Sequence, residues 1–387
     1  MQMIIGNIKR QKKIIVDDNR EPVLLASIGA SNDDDCIEEE FKKAKMAMQY
    51  GADIVIDHTL TPNHYELQKR IIENLDIPLS AIAVYDLASY MKYSNKESYS
   101  KDDVINQFKE KAALGVDLMT IHASILKEDI DFFKKTGRII PCTSRGGTMV
   151  MKNIIKTGEE NYYWTYFDEI LDIAKEYNVT ISLGVAFRPA NIYDSITENE
   201  MYWKEVERQA ILVEKANKKG VNIMVEGIGH CPIDAIPSVI KRAKEICNNA
   251  AYRVLTVATD CALGFDHVSS AIAVSNAVMA GAEFVTAVSR SEHLSLPSYD
   301  DLKEALTTAK IAIHCGYIAR THNYKKDIEM ASAREKLGCR GEISASIIPN
   351  VTVDAIKKCK NESNKKCTMC GDFCALYSSD IIKESDI

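Results

Sequence analysis

The chain has 387 residues, a formal net charge of −7 and 46% hydrophobic residues with 7% aromatics. That balance suits a sizeable α/β core and argues against a nucleic-acid partner, for which a basic face with interleaved aromatics is missing. No apolar run approaches the ~18 residues of a membrane span, and the opening "MQMIIGNIKRQKKIIVDDNREP" is too charged for a signal-peptide core, so a cytoplasmic protein is expected.

After this N-terminal arm, residues 1–22, short β-branched runs alternate with longer amphipathic segments. The predicted strands are "VLLASIG", "ADIVID", "LSAIAVY", "VDLMTIHA", "RIIPCTS", "VTISLGV", "VNIMVEG", "YRVLTVAT" and "EFVTAV". Between them lie charged helical patterns such as "IEEEFKKAKMAMQYG", "DDVINQFKEKAALG" and "WTYFDEILDIAKEYN". Gly or Asn often closes a helix just before the next strand, as in "LGVDLM" and "YNVTIS". Apolar strands alternating with helices predict a parallel sheet buried on both faces. The number of units favours a closed (β/α)8 TIM barrel over residues 23–325. The runs number one more than a barrel needs. A doubly wound open sheet is the alternative, but no strand is followed by a G-x-G-x-x-G turn.

From about residue 326 the pattern changes. "DIEMASAREKLG" and "TVDAIKKCKNES" predict a small helical appendage over residues 326–360. The polar stretch "KNESNKK" then leads into a tethered, flexible tail, residues 361–387.

In a TIM barrel, the residues at the C-terminal ends of the strands face the active site. Asp57, His58 and Tyr85 follow two early strands, and His122 follows "DLMTI". Ser144, Arg145, Gly146 and Gly147 follow "RIIPCT", a pattern that reads either as an ordinary turn or as an anion site. Arg188 follows "TISLG", Glu226 and His230 follow "NIMV", and Ser289, Glu292 and His293 follow "EFVTAV". His230 and His293, each with an acid nearby, suit a two-histidine metal site with open positions; a structural role is the alternative.

Of the 11 cysteines, most sit in apolar or mixed settings and read as small buried hydrophobes. "CTMCGDFC" differs: Cys367, Cys370 and Cys374 are local and regularly spaced. Structural zinc would need a fourth ligand, such as Cys359 or a histidine. Three thiolates alone would instead leave one iron of a 4Fe–4S cluster open to chelate a small molecule.

The motifs "TIHAS", "TSRGG", "SLGVAFRP", "MVEGIGH", "ATDCALGFDH", "SEHLSLP", "MASAR" and "CTMCGDFC", in this order, resemble the phosphomethylpyrimidine synthase family, which includes the 5-hydroxybenzimidazole synthases. The resemblance covers roughly residues 23 to 376. It implies a radical S-adenosylmethionine enzyme, a carbon–carbon lyase or synthase acting on 5-aminoimidazole ribotide. It also implies a cluster on Cys367, Cys370 and Cys374 and a 5′-deoxyadenosyl radical. A second divalent metal, zinc or iron, would sit on His230 and His293. Ser27, Ile56, Tyr85, His122, Ser144, Arg145, Gly146, Arg188, Glu226 and Tyr252 match substrate-contacting positions, with Glu226 also a catalytic candidate. An electron donor such as flavodoxin or ferredoxin is implied, as is a homodimer or a pairing with a paralogue.

The chain also departs from the pyrimidine-synthase pattern. Ser27 of "ASIGAS" replaces an Asn, Ile56 of "VID" a Met, and Val185 of "LGVAFRPA" an acidic contact; "ALGFDH" replaces A-P-G-Y-D-H. Lost polar contacts in a buried pocket are worth about 1–3 kcal/mol each, enough together to redirect a radical rearrangement. The expectation is therefore a 5-hydroxybenzimidazole product, for the lower ligand of cobamides. A pyrimidine product for thiamin is the alternative, and a non-catalytic zinc-binding paralogue a second one.

Overall fold

The computed structural model describes residues 2–31, 36–335, 339–357, 369–370 and 373–375. The chain divides into two compact units, Met1–Arg320 and Thr321–Ile387. The first opens with an antiparallel hairpin of β1 (Met3–Ile5) and β2 (Ile14–Val16). The buried Asn7 fastens it: its backbone N–H donates to Asp117 Oδ1 at 2.8 Å and its amide to Ala112 and Val116 carbonyls. Arg10 adds an ion pair to Asp117 at 2.8 Å.

Eight parallel strands then close a barrel: β3 (Val23–Ile28), β4 (Ile54–Asp57), β5 (Leu79–Ile82), β6 (Leu118–Ile121), β7 (Thr180–Leu183), β8 (Ile223–Glu226), β9 (Ala251–Val254) and β10 (Phe284–Thr286). Each strand pairs with the next in sequence, and β10 returns to β3. Helices follow the strands and bury their apolar stripes on the barrel. Phe167–Tyr177 buries Phe167, Ile170, Leu171 and Ala174, while Asp168 stays outside. Asn178 and Gly220 end their helices in the left-handed region, which brings each chain directly into the next strand.

The surplus run is "RIIPCTS". Its N–H groups do not join a ladder: Ile139 and Ile140 donate to the two oxygens of Asp194 at 3.0 and 3.1 Å. Arg138 donates to the carbonyls of Phe187 and Glu198, each at 2.9 Å. With backbone donors met by a carboxylate and the barrel already closed, a β-branched run becomes a loop. "LSAIAVY" is shorter than predicted, because β5 passes into the helix Ala83–Tyr93 and sets Tyr85 in its first turn.

The second unit contains the helices Lys325–Glu335, Cys339–Ala345 and Pro349–Lys357. Cys370 and Cys374 are described, and the Phe373 N–H donates to the Cys370 carbonyl at 3.0 Å. Cys367 lies outside the described residues. Among the described residues, no helix is long and apolar enough to cross a membrane.

Candidate active site

The C-terminal strand ends open into a cavity of about 410 Å³. Ser27 reaches it from β3, Tyr85 from the helix after β5, His122 from the end of β6 and Glu226 from the end of β8. Ser144, Arg145 and Gly146 enter from the start of the helix Arg145–Thr157, and Arg188 from the loop after β7. Ile56 and Tyr252 lie outside the cavity wall. Ile56 is fully buried within the barrel packing. The Tyr252 hydroxyl pairs with Tyr202 Oη at 3.0 Å and accepts the Ile228 N–H at 3.2 Å. Strand side chains alternate between the two faces, so an outward Tyr252 leaves its neighbour Arg253 facing inward, and Arg253 lines the cavity.

Glu226 is the buried acid of this cavity. Its Oε2 accepts from the Val185 N–H at 3.1 Å and from Arg188 Nη1 at 3.2 Å, and Arg253 Nη2 lies 4.0 Å from Oε1. Burial by itself would raise this carboxyl, but Arg188 and Arg253 outweigh it and hold the group below its ordinary range. Glu226 is therefore an anion at neutral pH.

His122 stands opposite. Its Nε2 pairs with Ser144 Oγ at 3.1 Å, and the same Oγ accepts the Gly147 N–H at 3.1 Å as the cap of the helix. A Cβ on Gly146 would lie 2.2 Å from the imidazole Cε1, and one on Gly184 2.8 Å from Nε2, so the ring is packed between two glycines. Burial drives the His122 pKa down to about 4, and burial aided by Arg145 and Arg253 drives that of His58 to about 3. Both imidazoles are neutral, and His122 Nδ1 and His58 Nε2 are buried without a partner among the described residues. Orphaned polar atoms at a cavity wall suit a ligand that supplies the missing hydrogen bonds.

The start of the helix Arg145–Thr157 gives the motif Ser144-Arg145-Gly146-Gly147 its physical sense. The positive end of the helix and the exposed Arg145 guanidinium meet at the cavity rim, a setting for an anion. Gly146, expected to let backbone approach an anion, also makes room for His122. The sequence reading missed Arg253 and Lys43 as cavity residues. A lone arginine inside the apolar run "YRVLTV" was the available signal for the first. Lys43 lies on a helix; it pairs with Glu40 at 2.5 Å and donates to the Pro297 carbonyl at 2.8 Å.

At the rim the rings of His230 and His293 lie 5.3 Å apart. Asp260 Oδ1 is 2.6 Å from His230 Nδ1, and Asp266 Oδ1 is 3.0 Å from His293 Nδ1. A carboxylate on Nδ1 fixes the tautomer that keeps Nε2 as a lone-pair donor, the arrangement of metal-binding histidines. Burial lowers the His230 pKa despite the opposing pull of Asp260. Among the described residues no group of three or more such donors gathers, so two histidines with open positions are what the geometry offers.

A closed parallel barrel with a cationic cavity at its C-terminal strand ends is the layout of a barrel enzyme for a small anionic substrate. The chain matches the Radical SAM ThiC family over residues 2–380 and belongs to it. It is 35% identical to a phosphomethylpyrimidine synthase from Methanocaldococcus jannaschii over 97% of this chain and 89% of that protein. It is 34% identical to one from Thermodesulfovibrio yellowstonii, over 97% and 90%. A third, from a Thermoanaerobacter species, is 36% identical over 91% of this chain and 82% of its own length. Membership of a radical SAM family implies a 4Fe–4S cluster and S-adenosylmethionine. The benzimidazole expectation finds no support among these relatives, which all carry the pyrimidine name.

Proposed function

We propose that the chain is a radical S-adenosylmethionine enzyme that converts 5-aminoimidazole ribotide to the phosphomethylpyrimidine of thiamin. The observation that carries this reading is the cavity itself, with a cationic rim, two neutral histidines carrying orphaned nitrogens and an ionised Glu226. The phosphate would rest on Arg145 and the helix start at Ser144. His58 and His122 would meet the ribose hydroxyls, each able to donate or accept because neither carries charge. Glu226, held by Arg188 and the Val185 N–H, would accept a proton or an N–H from the substrate's amino end.

Cys370 and Cys374 would hold the cluster together with Cys367, a thiolate set suited to iron. When bound, cluster and S-adenosylmethionine supply one-electron cleavage of a sulfonium, and with it a carbon radical that takes hydrogen from the substrate. His230 and His293 would hold the second metal, zinc or iron, through Nε2. Flavodoxin or ferredoxin would deliver the electron, and a second copy or a paralogue is the partner the reading assigns.

A 5-hydroxybenzimidazole product is the second reading, favoured by one observation. Val185 gives Glu226 only its backbone N–H, and its apolar side chain is fully buried where the pyrimidine pattern has an acid. Anaerobic reconstitution, incubation with 5-aminoimidazole ribotide, S-adenosylmethionine and dithionite, and mass spectrometry test both. The mass of the hydroxymethylpyrimidine phosphate upholds the first reading, and that of hydroxybenzimidazole replaces it with the second. No 5′-deoxyadenosine from a fully loaded enzyme would overturn both.

A further inference from the structure

Three guanidiniums face the cavity at graded depth. Arg145 at the rim is exposed, the Arg188 side chain is 13% exposed, and Arg253 is 3% exposed. The deepest is the most constrained. Arg253 Nε donates to Thr286 Oγ1 at 3.0 Å and Nη1 to Thr120 Oγ1 at 3.3 Å. Both threonines are buried on barrel strands and line the same cavity. Two clamps fix the plane of the guanidinium and leave Nη2 on the side of Glu226, 4.0 Å from Oε1, beyond hydrogen-bond distance.

Arginine keeps its charge at any pH of interest and carries five N–H donors, more than Thr286 and Thr120 use. The cavity floor therefore presents an ionised acceptor and a fixed donor side by side. Glu226 accepts from Arg188 as well as facing Arg253, so the floor carries a carboxylate that offsets part of its positive charge and repels a phosphate dianion. At the rim Arg145 coincides with a helix start whose first turn holds no acidic residue. A ligand with an anionic end and an uncharged polar end would consequently enter with its uncharged end down.

We infer that Arg253 is a substrate-specificity residue whose Nη2, paired in function with Glu226, reads the uncharged heterocyclic end of the ligand at the cavity floor. This rests on the function proposed above and names the part of the substrate that the residue meets. A heterocycle carrying both an acceptor nitrogen and an amino donor satisfies Arg253 and Glu226 together. One lacking the acceptor leaves a buried guanidinium donor unpaired, the kind of loss by which polar sites discriminate most strongly.

The test uses the anaerobically reconstituted full chain, titrated calorimetrically with 5-aminoimidazole ribotide and, separately, with ribose 5-phosphate, which has the anionic end and no heterocycle. A charge-assisted hydrogen bond is worth about 1.5–3 kcal/mol, so Arg253→Met should weaken ribotide binding ~10–150-fold. Ribose 5-phosphate should bind the variant within about threefold of wild type, since nothing at the rim has changed. Equal weakening of both ligands, or of neither, overturns the inference while leaving the proposed function standing. A wild-type chain that fails to bind the ribotide overturns both. Should Arg253→Met not fold, Arg253→Lys keeps a cation beside Glu226 without the planar fork, and the same ratio between the two ligands decides.

Discussion

Gly146→Ala is a small change with a calculable outcome. The added Cβ would stand 2.2 Å from His122 Cε1 and 2.7 Å from Nδ1, well inside van der Waals contact. The imidazole has little room to retreat, because Gly184 backs its other side and Ser144 Oγ holds Nε2. Overpacking of this kind costs about 1–3 kcal/mol, and loss of the Ser144 pairing adds about 1 kcal/mol. With an unfolding entropy of roughly 2.1 cal/mol/K per residue spread over the barrel unit, a penalty of roughly 2–4 kcal/mol lowers Tm by about 3–6 °C. Displacing His122 should also weaken ribotide binding at least ~10-fold, the worth of one lost buried contact. Differential scanning calorimetry and titration measure the two effects. Gly158→Ala is the control: its φ of +71° makes any side chain costly by about 1 kcal/mol, but nothing lies within 4 Å of the new Cβ, so binding should not move. In the double variant His122→Ala/Gly146→Ala the clash vanishes and the two losses should fall short of additive. A Gly146→Ala protein that melts and binds like wild type would refute the packed-ring account.

Three further outcomes follow from the same geometry. His122 titrates near 4 folded and near 6.5 unfolded, so its contribution to stability is complete above 6.5 and lost as pH falls toward 4; His122→Asn should flatten that acid limb in urea melts. Glu205 behaves oppositely. It accepts the N–H groups of Ala186 and Phe187 at 2.9 and 2.7 Å, yet burial pushes its carboxyl up to about 7. Folding therefore favours its protonated form, and Glu205→Gln should remove a decline in stability that sets in near pH 4.5 and is complete by about pH 7. Asp260 supports His230 through Oδ1 and accepts the Ile192 N–H through Oδ2, and Asp260→Asn should weaken binding of the second metal ~10–100-fold as read by zinc titration. Unchanged affinity would show that His230 is no ligand.

Much of this protein was legible in the sequence because the information is local. Short continuous apolar runs, helix-closing Asn178 and Gly220, and polar residues just past strand ends are written within a few residues of where they act. They sufficed for an eight-stranded barrel and for most of its cavity, from Ser27 to Glu226. The spacing of the thiols in "CTMCGDFC" is likewise local.

What the tertiary structure decided depends on partners far apart in the chain. "RIIPCTS" has the composition of a strand, and only the distant Asp194 and Phe187, with Glu198, turn it into a loop. Tyr252 and Arg253 are adjacent, and a run of β-branched neighbours does not say which one faces inward. Closing β9 between β8 and β10 sets that parity, sending Tyr252 to Tyr202 and Arg253 to the cavity floor. Asp260 and Asp266 likewise acquire a role only when folding lays them against His230 and His293. A strand's alternation is a property of its own backbone, but the choice of face is made by the barrel as a whole, since that choice determines which side chains leave water together.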